Sequence, residues 1–406
     1  MHIFIQILKY FFYTINCLVL FYFLLPVILH FIYFLIGGYK KVSLLKNNNE
    51  PINIDYDFAA IVAVHQDIRF IKPLVDSFLK QNYNKFIVYI VADDCELDGL
   101  RFTDERIVLI KPLVPLHSKI KSIELAISNF KNEHEALIIF DSDNLVHPNY
   151  LKNLNKYFQN GFKVVQTHML SKNIENTYAR LDSIGHIYYT FYERKVKMKL
   201  GLSSSILGLG IAIKYDLYKE ISYGEIINAF DKKLQVDLAI KVKQIAFAED
   251  AIVYDEKVEA ASVLEKQRIR WIYSYFGHFK QSFKLTSAGF RNFNIGQILL
   301  GASMLRPPMI LLIIIMSVLL FFSFFINIKL SIIWAIVLIL FAINFILTIA
   351  TQSVQKGMMK SIKYLPLLIF SQLKSLMKIK KAKNIYLKTE HVKIIYIDEL
   401  LSNEQY

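Results

Sequence analysis

Cysteine is nearly absent from the chain, since only Cys17 and Cys95 occur among its 406 residues. Cys17 lies in an apolar run and Cys95 beside an acidic pair, so the two predict neither a disulfide framework nor a cysteine metal site, and they fit a reducing compartment. Recognised nucleic-acid reader motifs are also lacking. The formal net charge of +14 therefore does not indicate nucleic-acid binding, and many lysines instead flank apolar runs.

The N-terminal apolar run also lacks a signal-peptide cleavage site. The run from Ile3 to Gly37 is apolar and aromatic almost throughout, is longer than a signal peptide, and shows no small-residue cleavage motif. It predicts an uncleaved transmembrane anchor, because about 20 apolar residues cross a bilayer. The lysines that follow this run are Lys40, Lys41 and Lys46. Positive residues beside a span mark the cytoplasmic face, so the next domain is expected in the cytoplasm.

Two more apolar runs, Met309 to Asn327 and Leu330 to Thr351, are long enough to span a membrane. No charge pair lies within the spans, which argues against a transporter. Asn292 to Arg306 has an amphipathic pattern, and Tyr364 to Met377 is short and flanked by lysines, so both are expected at the membrane interface. With 54% hydrophobic residues and a mean hydropathy of +0.35, the composition is typical of an integral membrane protein with one globular domain.

Four parts are predicted along the chain. They are an N-terminal transmembrane anchor over 1–46, a cytoplasmic globular domain over 47–284, interfacial and transmembrane helices over 285–378, and a cytoplasmic tail over 379–406. Strand patterns in the globular domain cover Phe58–Val64, Phe86–Ala92, Arg106–Ile110 and Ala136–Phe140. Helix patterns between them cover Ile68–Gln81 and Ser118–Phe130. This alternation predicts an α/β fold with a mostly parallel sheet, whose ligands gather at the carboxyl ends of the strands.

Acidic residues follow two of these strands. Asp141 and Asp143 end the strand Ala136–Phe140, and their spacing brings both carboxylates to one point only where the backbone turns. A divalent cation bridging to a diphosphate can bind there, because hard cations prefer oxygen ligands. Solvated turn acids or a helix N-cap are the alternative. Asp93 and Asp94 follow the second strand, where they either bind a base or ribose or simply form a turn.

Taken in chain order, the motifs of this sequence resemble those of the membrane-bound family 2 glycosyltransferases. These enzymes have a GT-A fold and transfer a sugar, with inversion, from a nucleotide-diphosphate donor. The matching segments are Ala63-Val64-His65-Gln66-Asp67, Asp93-Asp94, Asp141-Ser142-Asp143 and Gln267-Arg268-Ile269-Arg270-Trp271. The first segment departs from the family's usual Pro-Ala-Tyr-Asn-Glu, although Asp67 keeps the acid.

The resemblance implies a donor site at the strand ends. Asp67, Asp93 and Asp94 are expected to bind the nucleoside, and a UDP-sugar is the expected donor. Asp141 and Asp143 are expected to hold the diphosphate through Mg²⁺ or Mn²⁺. Lys119 is the last residue expected on the donor side. It stands where the family has a Gly-Lys pair near the donor, with serine replacing the glycine, and an exposed helix lysine is the alternative.

For the acceptor side, the resemblance implies that Asp237 is the catalytic base. A base is needed because a hydroxyl is a poor nucleophile until its proton is removed. Gln235 and Val236 depart from the family's Thr-Glu-Asp pattern, and a helix N-cap is the alternative role for Asp237. The segment Gly208 to Gly210 matches a family Gly-x-Gly near the acceptor, or else forms an ordinary turn.

The family's Gln-x-x-Arg-Trp motif is matched without departure. Gln267, Arg270 and Trp271 are spaced i, i+3 and i+4 within a predicted helix from Ser262 to Phe283, so they share one helix face. Arginine suits phosphate and an aromatic ring suits a sugar. In the family this motif lines the acceptor end of the active site and touches the diphosphate, while a purely structural helix face is the alternative.

The resemblance implies a membrane-anchored transferase that acts on a lipid-linked or glycan acceptor in cell-envelope or extracellular polysaccharide or glycolipid synthesis. Two rivals stay open from the sequence. One is a processive synthase that secretes its polymer, which would need a channel through the bilayer. The other is a non-catalytic membrane protein that binds a nucleotide or a partner.

Overall fold

The computed structural model describes residues 2–38, 54–97, 99–221, 230–377 and 392–403. Several features of the sequence lie outside these ranges, so their predictions stay as they are. They are most of the linker after the anchor, the lysines Lys40, Lys41, Lys46, Lys378, Lys380 and Lys381, and the tail segment from Tyr386 to His391.

Eight strands form one sheet within the described residues. They are β1 (Phe58–His65), β2 (Phe86–Asp93), β3 (Ile107–Ile110), β4 (Ala136–Asp141), β5 (Leu145–Val146), β6 (Val164–Ser171), β7 (Ile211–Lys214) and β8 (Ala246–Asp255), in the spatial order β3-β2-β1-β4-β7-β6-β8-β5. The four predicted strands are found to within one residue at each end.

The sheet has a parallel half and a mixed half. Strands β3, β2, β1 and β4 are parallel neighbours, which confirms the predicted α/β arrangement. Their apolar runs are buried on both faces, as helix-covered parallel strands require. Beyond β4 the direction changes, because β7 pairs antiparallel with both β4 and β6, whereas β8 runs parallel to β6 and antiparallel to β5.

Sixteen α-helices are described. In chain order they are α1 (His2–Leu35), α2 (Ile71–Leu79), α3 (Lys119–Ser128), α4 (Tyr150–Gln159), α5 (Thr177–Thr190), α6 (Val196–Lys199), α7 (Tyr215–Lys219), α8 (Phe230–Lys241), α9 (Ala261–Gly277), α10 (Phe279–Arg291), α11 (Ile295–Leu305), α12 (Met309–Ile326), α13 (Ile328–Gln352), α14 (Met358–Ser361), α15 (Leu365–Met377) and α16 (Ile397–Asn403). A π-helical turn over Phe191–Lys195 joins α5 to α6, and a 3₁₀ turn over Ile362–Tyr364 precedes α15.

Helices cover both faces of the sheet. Buried side chains of α2 and α4, such as Phe78 and Phe158, pack against one face. Side chains of α3 and α8, such as Ile123 and Leu234, pack against the other. The sheet therefore lies between two apolar layers, and its polar residues are left for the strand ends.

Within the part of the chain that the structure describes, three helices are long and apolar enough to cross a membrane: α1, α12 and α13. They coincide with the three apolar runs of the sequence. Buried Phe23 and Trp334 meet edge to face between α1 and α13, and the indole N–H of Trp334 donates to Asn16 Oδ1 at 2.8 Å. Asn327 separates α12 from α13 and caps α13, so these two helices form a hairpin.

Two helix predictions need correction. The stretch from Ser262 to Phe283 is not one helix, because α9 ends at Gly277 and α10 begins at Phe279. The break falls at His278, whose φ of −103 and ψ of 5 lie outside the helical region and which caps both helices. The amphipathic segment from Asn292 is helical over Ile295–Leu305, with the Asn294 side chain accepting from the N–H of Gln297 as its N-cap.

The segment 392–403 returns to the mixed half of the sheet. Its buried Ile395, Ile397 and Leu400 pack on Leu145 and Tyr254 of β5 and β8. Residues that follow the α12–α13 hairpin in sequence thus complete the core beside β5.

Candidate active site

The turn after β4 presents the predicted pair of carboxylates. Asp141 is the last residue of the strand, and its N–H donates to Oδ1 of the buried Asn144 at 2.9 Å, which closes the turn. The Asp141 carboxylate is partly exposed. Asp143 is buried, and its Oδ2 accepts from the N–H of Glu256 at 3.4 Å. One acid of the pair is therefore open to solvent, and the other is fixed against β8.

Lys119 joins this turn to the predicted glycine segment. Its Nζ lies 2.5 Å from Asp141 Oδ1 and donates to the carbonyl oxygen of Gly208 at 2.8 Å. The alternative of a merely solvated lysine is therefore wrong. Ser118, which replaces the family glycine, is the N-cap of α3 and accepts from the N–H of Lys121. A hydroxyl cap satisfies a helix N-H that glycine would leave without a side-chain partner.

The glycine segment beside Lys119 is held by close backbone packing. Gly210 has φ +61, and a Cβ there would lie 2.5 Å from Thr167 Oγ1. Its N–H donates to the carbonyl oxygen of Ile139 in β4 at 2.7 Å. Only glycine fits this position without a shift, so the loop is fixed next to the Asp141 turn.

The three acids predicted to bind the nucleoside all have protein partners. Both oxygens of Asp67 accept from the Arg69 guanidinium, at 2.9 and 2.7 Å. Asp94 is exposed, has φ +53 and accepts from the Gln66 amide at 2.7 Å. Asp93 is buried, and its carboxylate accepts two backbone N–H groups of the loop that leads to α3. Asp67 and Asp94 therefore lie open at the strand ends, whereas Asp93 anchors a loop.

Asp237 lies inside α8, so its alternative role as a helix N-cap is wrong. Its carboxylate is mostly buried and forms two ion pairs, at 2.6 Å with Lys233 and at 3.2 Å with Lys284 of α10. Two turns of helix separate it from Phe230, whose ring lies 5.5 Å from Lys119 Nζ. Gln235 of the same helix accepts from the N–H of Ile206 at 2.8 Å, which ties α8 to the glycine segment.

Helix α9 carries the Gln-x-x-Arg-Trp motif, with Arg270 and Trp271 exposed. Gln267 Oε1 is buried and has no hydrogen-bond partner among the described residues. The residue that sequence reasoning missed is Arg268. It pairs with Asp182 of α5, and its guanidinium lies 4.4 Å from the Trp271 ring. The spacing from Arg268 to Trp271 is readable from sequence, but the partner on α5 is not.

Two further residues near Asp143 carry no sequence signal. Lys172 Nζ donates to the carbonyl oxygen of Asp143 at 2.6 Å and lies 3.7 Å from the Glu256 carboxylate. Glu256 is buried, and its Oε1 accepts from the N–H groups of Val392 and Lys393 at 2.7 and 3.1 Å. Glu256 therefore binds the segment 392–403 through its carboxylate and Asp143 through its N–H.

A buried ionic cluster joins the π-helical turn and α6 to Arg306 at the end of α11. Glu193 in the π-helical turn lies 2.7 Å from Lys197 Nζ and 3.1 Å from the Arg306 guanidinium. Burial raises the pKa of the Glu193 carboxyl, but the positive charges of Lys197 and Arg306 outweigh it and lower the pKa to about 2. Glu193 is therefore ionised at every physiological pH.

A half-buried histidine, His186, lies on the helix that precedes this turn. His186 Nε2 is 3.0 Å from Thr190 Oγ1. Burial lowers the pKa of His186 well below 6.5, and the charges of Lys257 and Arg194 act in the same direction, as does His168. His186 is therefore neutral in the folded protein.

The sequence profile of glycosyltransferase-like family 2 matches residues 56–274, more than half of the chain. A mannosyltransferase from Pyrobaculum calidifontis, PcManGT in complex with GDP-Man and Mn²⁺, superposes with a TM-score of 0.55 at 13% identity, covering 92% of this chain and 100% of that one. S. aureus TarS 1–349 in complex with UDP-GlcNAc gives a TM-score of 0.41 at 15% identity, covering 83% and 93%. No characterised protein sequence matches this one. The likeness to the mannosyltransferase shows a shared GT-A fold.

Proposed function

The chain belongs to glycosyltransferase-like family 2, and we propose that it transfers a sugar, with inversion, from a nucleoside-diphosphate donor to an acceptor hydroxyl at the cytoplasmic face of a membrane. The enzyme class and the GT-A fold follow from the family. The donor, the catalytic residues, the acceptor and the membrane topology are the proposal.

One observation carries it: Lys119 links Asp141 to the Gly208 carbonyl, at 2.5 and 2.8 Å. Three signals that are far apart in sequence therefore converge at the carboxyl end of β4. Ligands of open α/β sheets bind at this edge. An ammonium group beside a carboxylate suits a diphosphate, since it can exchange its carboxylate partner for phosphate oxygens when the donor binds.

Asp141 and Asp143 are the proposed metal ligands, and the donor set fits a hard divalent cation because both groups supply carboxylate oxygens. When bound, Mg²⁺ or Mn²⁺ would neutralise charge on the departing nucleoside diphosphate. Mn²⁺ is supported by the mannosyltransferase of the same fold, whose complex contains it. The chain's own contribution is to orient Asp143 through the Glu256 N–H and to add the positive charge of Lys119.

For the donor, we propose that Asp67, Asp93 and Asp94 line the nucleoside end and that a UDP-sugar is bound. Asp94 is exposed and Asp67 is partly exposed, so hydrogen bonds to the base and ribose fall mainly to these two. At the other end, Arg270 and Trp271 present a cation and a ring to the diphosphate and sugar. Gln267 of the same helix completes the proposed site, and its buried Oε1 has no hydrogen-bond partner among the described residues.

Asp237 is the proposed base, which takes the acceptor proton as the new glycosidic bond forms. Its carboxylate pairs with Lys233 and Lys284, so the acceptor hydroxyl would have to take the place of one of these partners. Lys284 is exposed on α10, which makes it the more accessible of the two to displace.

The proposed topology has α1, α12 and α13 crossing the membrane and the catalytic domain in the cytoplasm. The docking of 392–403 on the catalytic sheet supports an even number of spans between the two, as the α12–α13 hairpin provides. α15, with 13 residues, is too short to cross and is proposed to lie at the interface. A lipid-linked or glycan acceptor would reach the site from that interface, as in cell-envelope or extracellular glycan synthesis.

The direct test is Asp143→Asn in detergent-purified protein. Nucleoside-diphosphate release from UDP- and GDP-sugars, with and without Mn²⁺, is expected to fall by more than about a hundredfold, because even outer-shell partners of a metal cost 10–100-fold. Asp216→Asn on α7 is the matched control, since that acid is exposed and pairs with Lys219. Full activity of the Asp143 variant would refute the metal assignment, and product length separates single addition from a processive synthase.

A further inference from the structure

A second cluster of ligating side chains lies at the ends of β1 and β2. One nitrogen of His65, a carboxylate oxygen of Asp93 and one nitrogen of His117 all lie within 4.8 Å of one another. His65 ends β1, Asp93 ends β2, and His117 lies in the loop before α3. We propose that these three residues bind a transition-metal ion of the Zn²⁺, Co²⁺ and Ni²⁺ class, at a site separate from Asp141 and Asp143.

The spacing between the first two ligands fits such an ion. His65 Nδ1 lies 3.3 Å from Asp93 Oδ2. Bonds of about 2.0–2.1 Å to Zn²⁺ at tetrahedral angles place neighbouring ligand atoms about 3.3 Å apart. A shared proton would need a shorter contact, of about 2.7–2.9 Å, to form a strong charge-assisted hydrogen bond. The gap between these two atoms therefore has the width that a bound ion would need.

Asp93 is oriented by its surroundings as metal-binding carboxylates are. Oδ1 accepts from the N–H of Leu116 at 2.6 Å and Oδ2 from the N–H of His117 at 2.8 Å. These bonds fix the carboxylate in a buried position, and fixed outer-shell bonds of this kind orient ligands and raise metal affinity. An oxygen that accepts one N–H still has electron density for a metal bond.

The third ligand needs only a side-chain rotation. His117 is exposed, and its ring packs edge to face on the His65 ring with centroids 5.3 Å apart. Its backbone has φ +47, an uncommon value for a residue other than glycine. Because the ring is exposed, inward rotation to coordination distance displaces only solvent. A fourth position stays open to water.

The ligand types distinguish this site from the one at β4. Two imidazoles and one carboxylate favour Zn²⁺, Co²⁺ and Ni²⁺, whereas two carboxylates with a diphosphate favour Mg²⁺ and Mn²⁺. A metal at His65, Asp93 and His117 would tie the loop before α3 to both strand ends. That loop leads directly to Lys119, so the ion would hold the start of α3 in the position from which Lys119 reaches Asp141.

The test uses Co²⁺ alone with the full-length protein in detergent and excess Mg²⁺. We expect one equivalent to bind, with visible d–d absorption of a low-coordinate site. His117→Asn removes the imidazole while keeping a residue that tolerates positive φ, and His65→Phe keeps the ring shape; each is expected to weaken binding by more than about tenfold. Asp143→Asn is expected to leave Co²⁺ binding unchanged, and none of these readouts depends on transferase activity.

Hydrogen exchange gives a second readout. Zn²⁺ is expected to slow exchange of the backbone amides over 111–118 in the wild-type protein and in Asp143→Asn, but not in His117→Asn. The proposal is overturned if no Co²⁺ binds in excess Mg²⁺, if both histidine variants bind it as tightly as the wild type, or if binding is lost in Asp143→Asn instead.

Discussion

Replacing Glu256 with glutamine tests whether the segment 392–403 is held by one buried carboxylate. That carboxylate accepts two backbone N–H groups, from Val392 and Lys393, at 2.7 and 3.1 Å. Hydrogen bonds to a charged acceptor contribute about 1.5–3 kcal/mol each, and neutral ones about 0.5–1.5 kcal/mol. Glutamine keeps a carbonyl acceptor but loses the charge, so docking is expected to weaken by about 2–3 kcal/mol, a shift of about 30- to 150-fold.

Amide hydrogen exchange over 392–403 measures this shift directly, because protection of a locally docked segment reports its opening equilibrium. Docking should weaken without being lost, since Ile395, Ile397 and Leu400 remain buried. Asp398→Asn is the matched control. Asp398 pairs with Lys80 at 2.6 Å but is exposed, and such surface pairs contribute about 0–1 kcal/mol. Unchanged protection in Glu256→Gln, or an equal loss in Asp398→Asn, would refute the reasoning.

Two further predictions concern the ionisable side chains of Glu193 and His186. Glu193→Gln leaves Lys197 and Arg306 buried without their carboxylate, so stability is expected to fall by about 3–5 kcal/mol in thermal unfolding, against about 0–1 kcal/mol for the exposed Glu249→Gln. Because His186 has a folded-state pKa below 6.5, the unfolded chain binds a proton that the folded protein does not, and stability is lost as pH falls below 6.5. His186→Asn should reduce that slope by up to about 1.4 kcal/mol per pH unit, measured as unfolding midpoints at several pH values, and an unchanged slope would contradict the assignment.

The parallel half of the sheet could be predicted because its signals are local. Each strand is a short apolar run, and an acid or polar residue follows at its carboxyl end, as Asp93 and Asp141 do. The same locality gave Lys119 at the start of α3. Lys119 contacts Asp141 and Gly208, and this contact depends on how the strands pack side by side. The order of the motifs predicted only that these three residues lie near one another.

The mixed half could not be predicted in the same way. Strand β7 has only four residues and pairs antiparallel with β4, across a long stretch of intervening chain. Asp237 shows the limit of local rules, since an acid before apolar spacing fits both a helix N-cap and a helix interior. The docking of Ile397 beside β5 is a tertiary contact of a short segment, for which composition carries no signal.

The return of 392–403 to the sheet also orders the events of biosynthesis. Leu145 and Tyr254 are translated well before α12 and α13, yet their apolar cover, including Ile397, is translated after them. In the proposed topology the ribosome must deliver the hairpin to the bilayer before the edge of the sheet beside Asp143 can be closed. Until then that apolar edge is exposed to chaperones and to other nascent chains. Maturation of the donor site would therefore be coupled in time to membrane insertion.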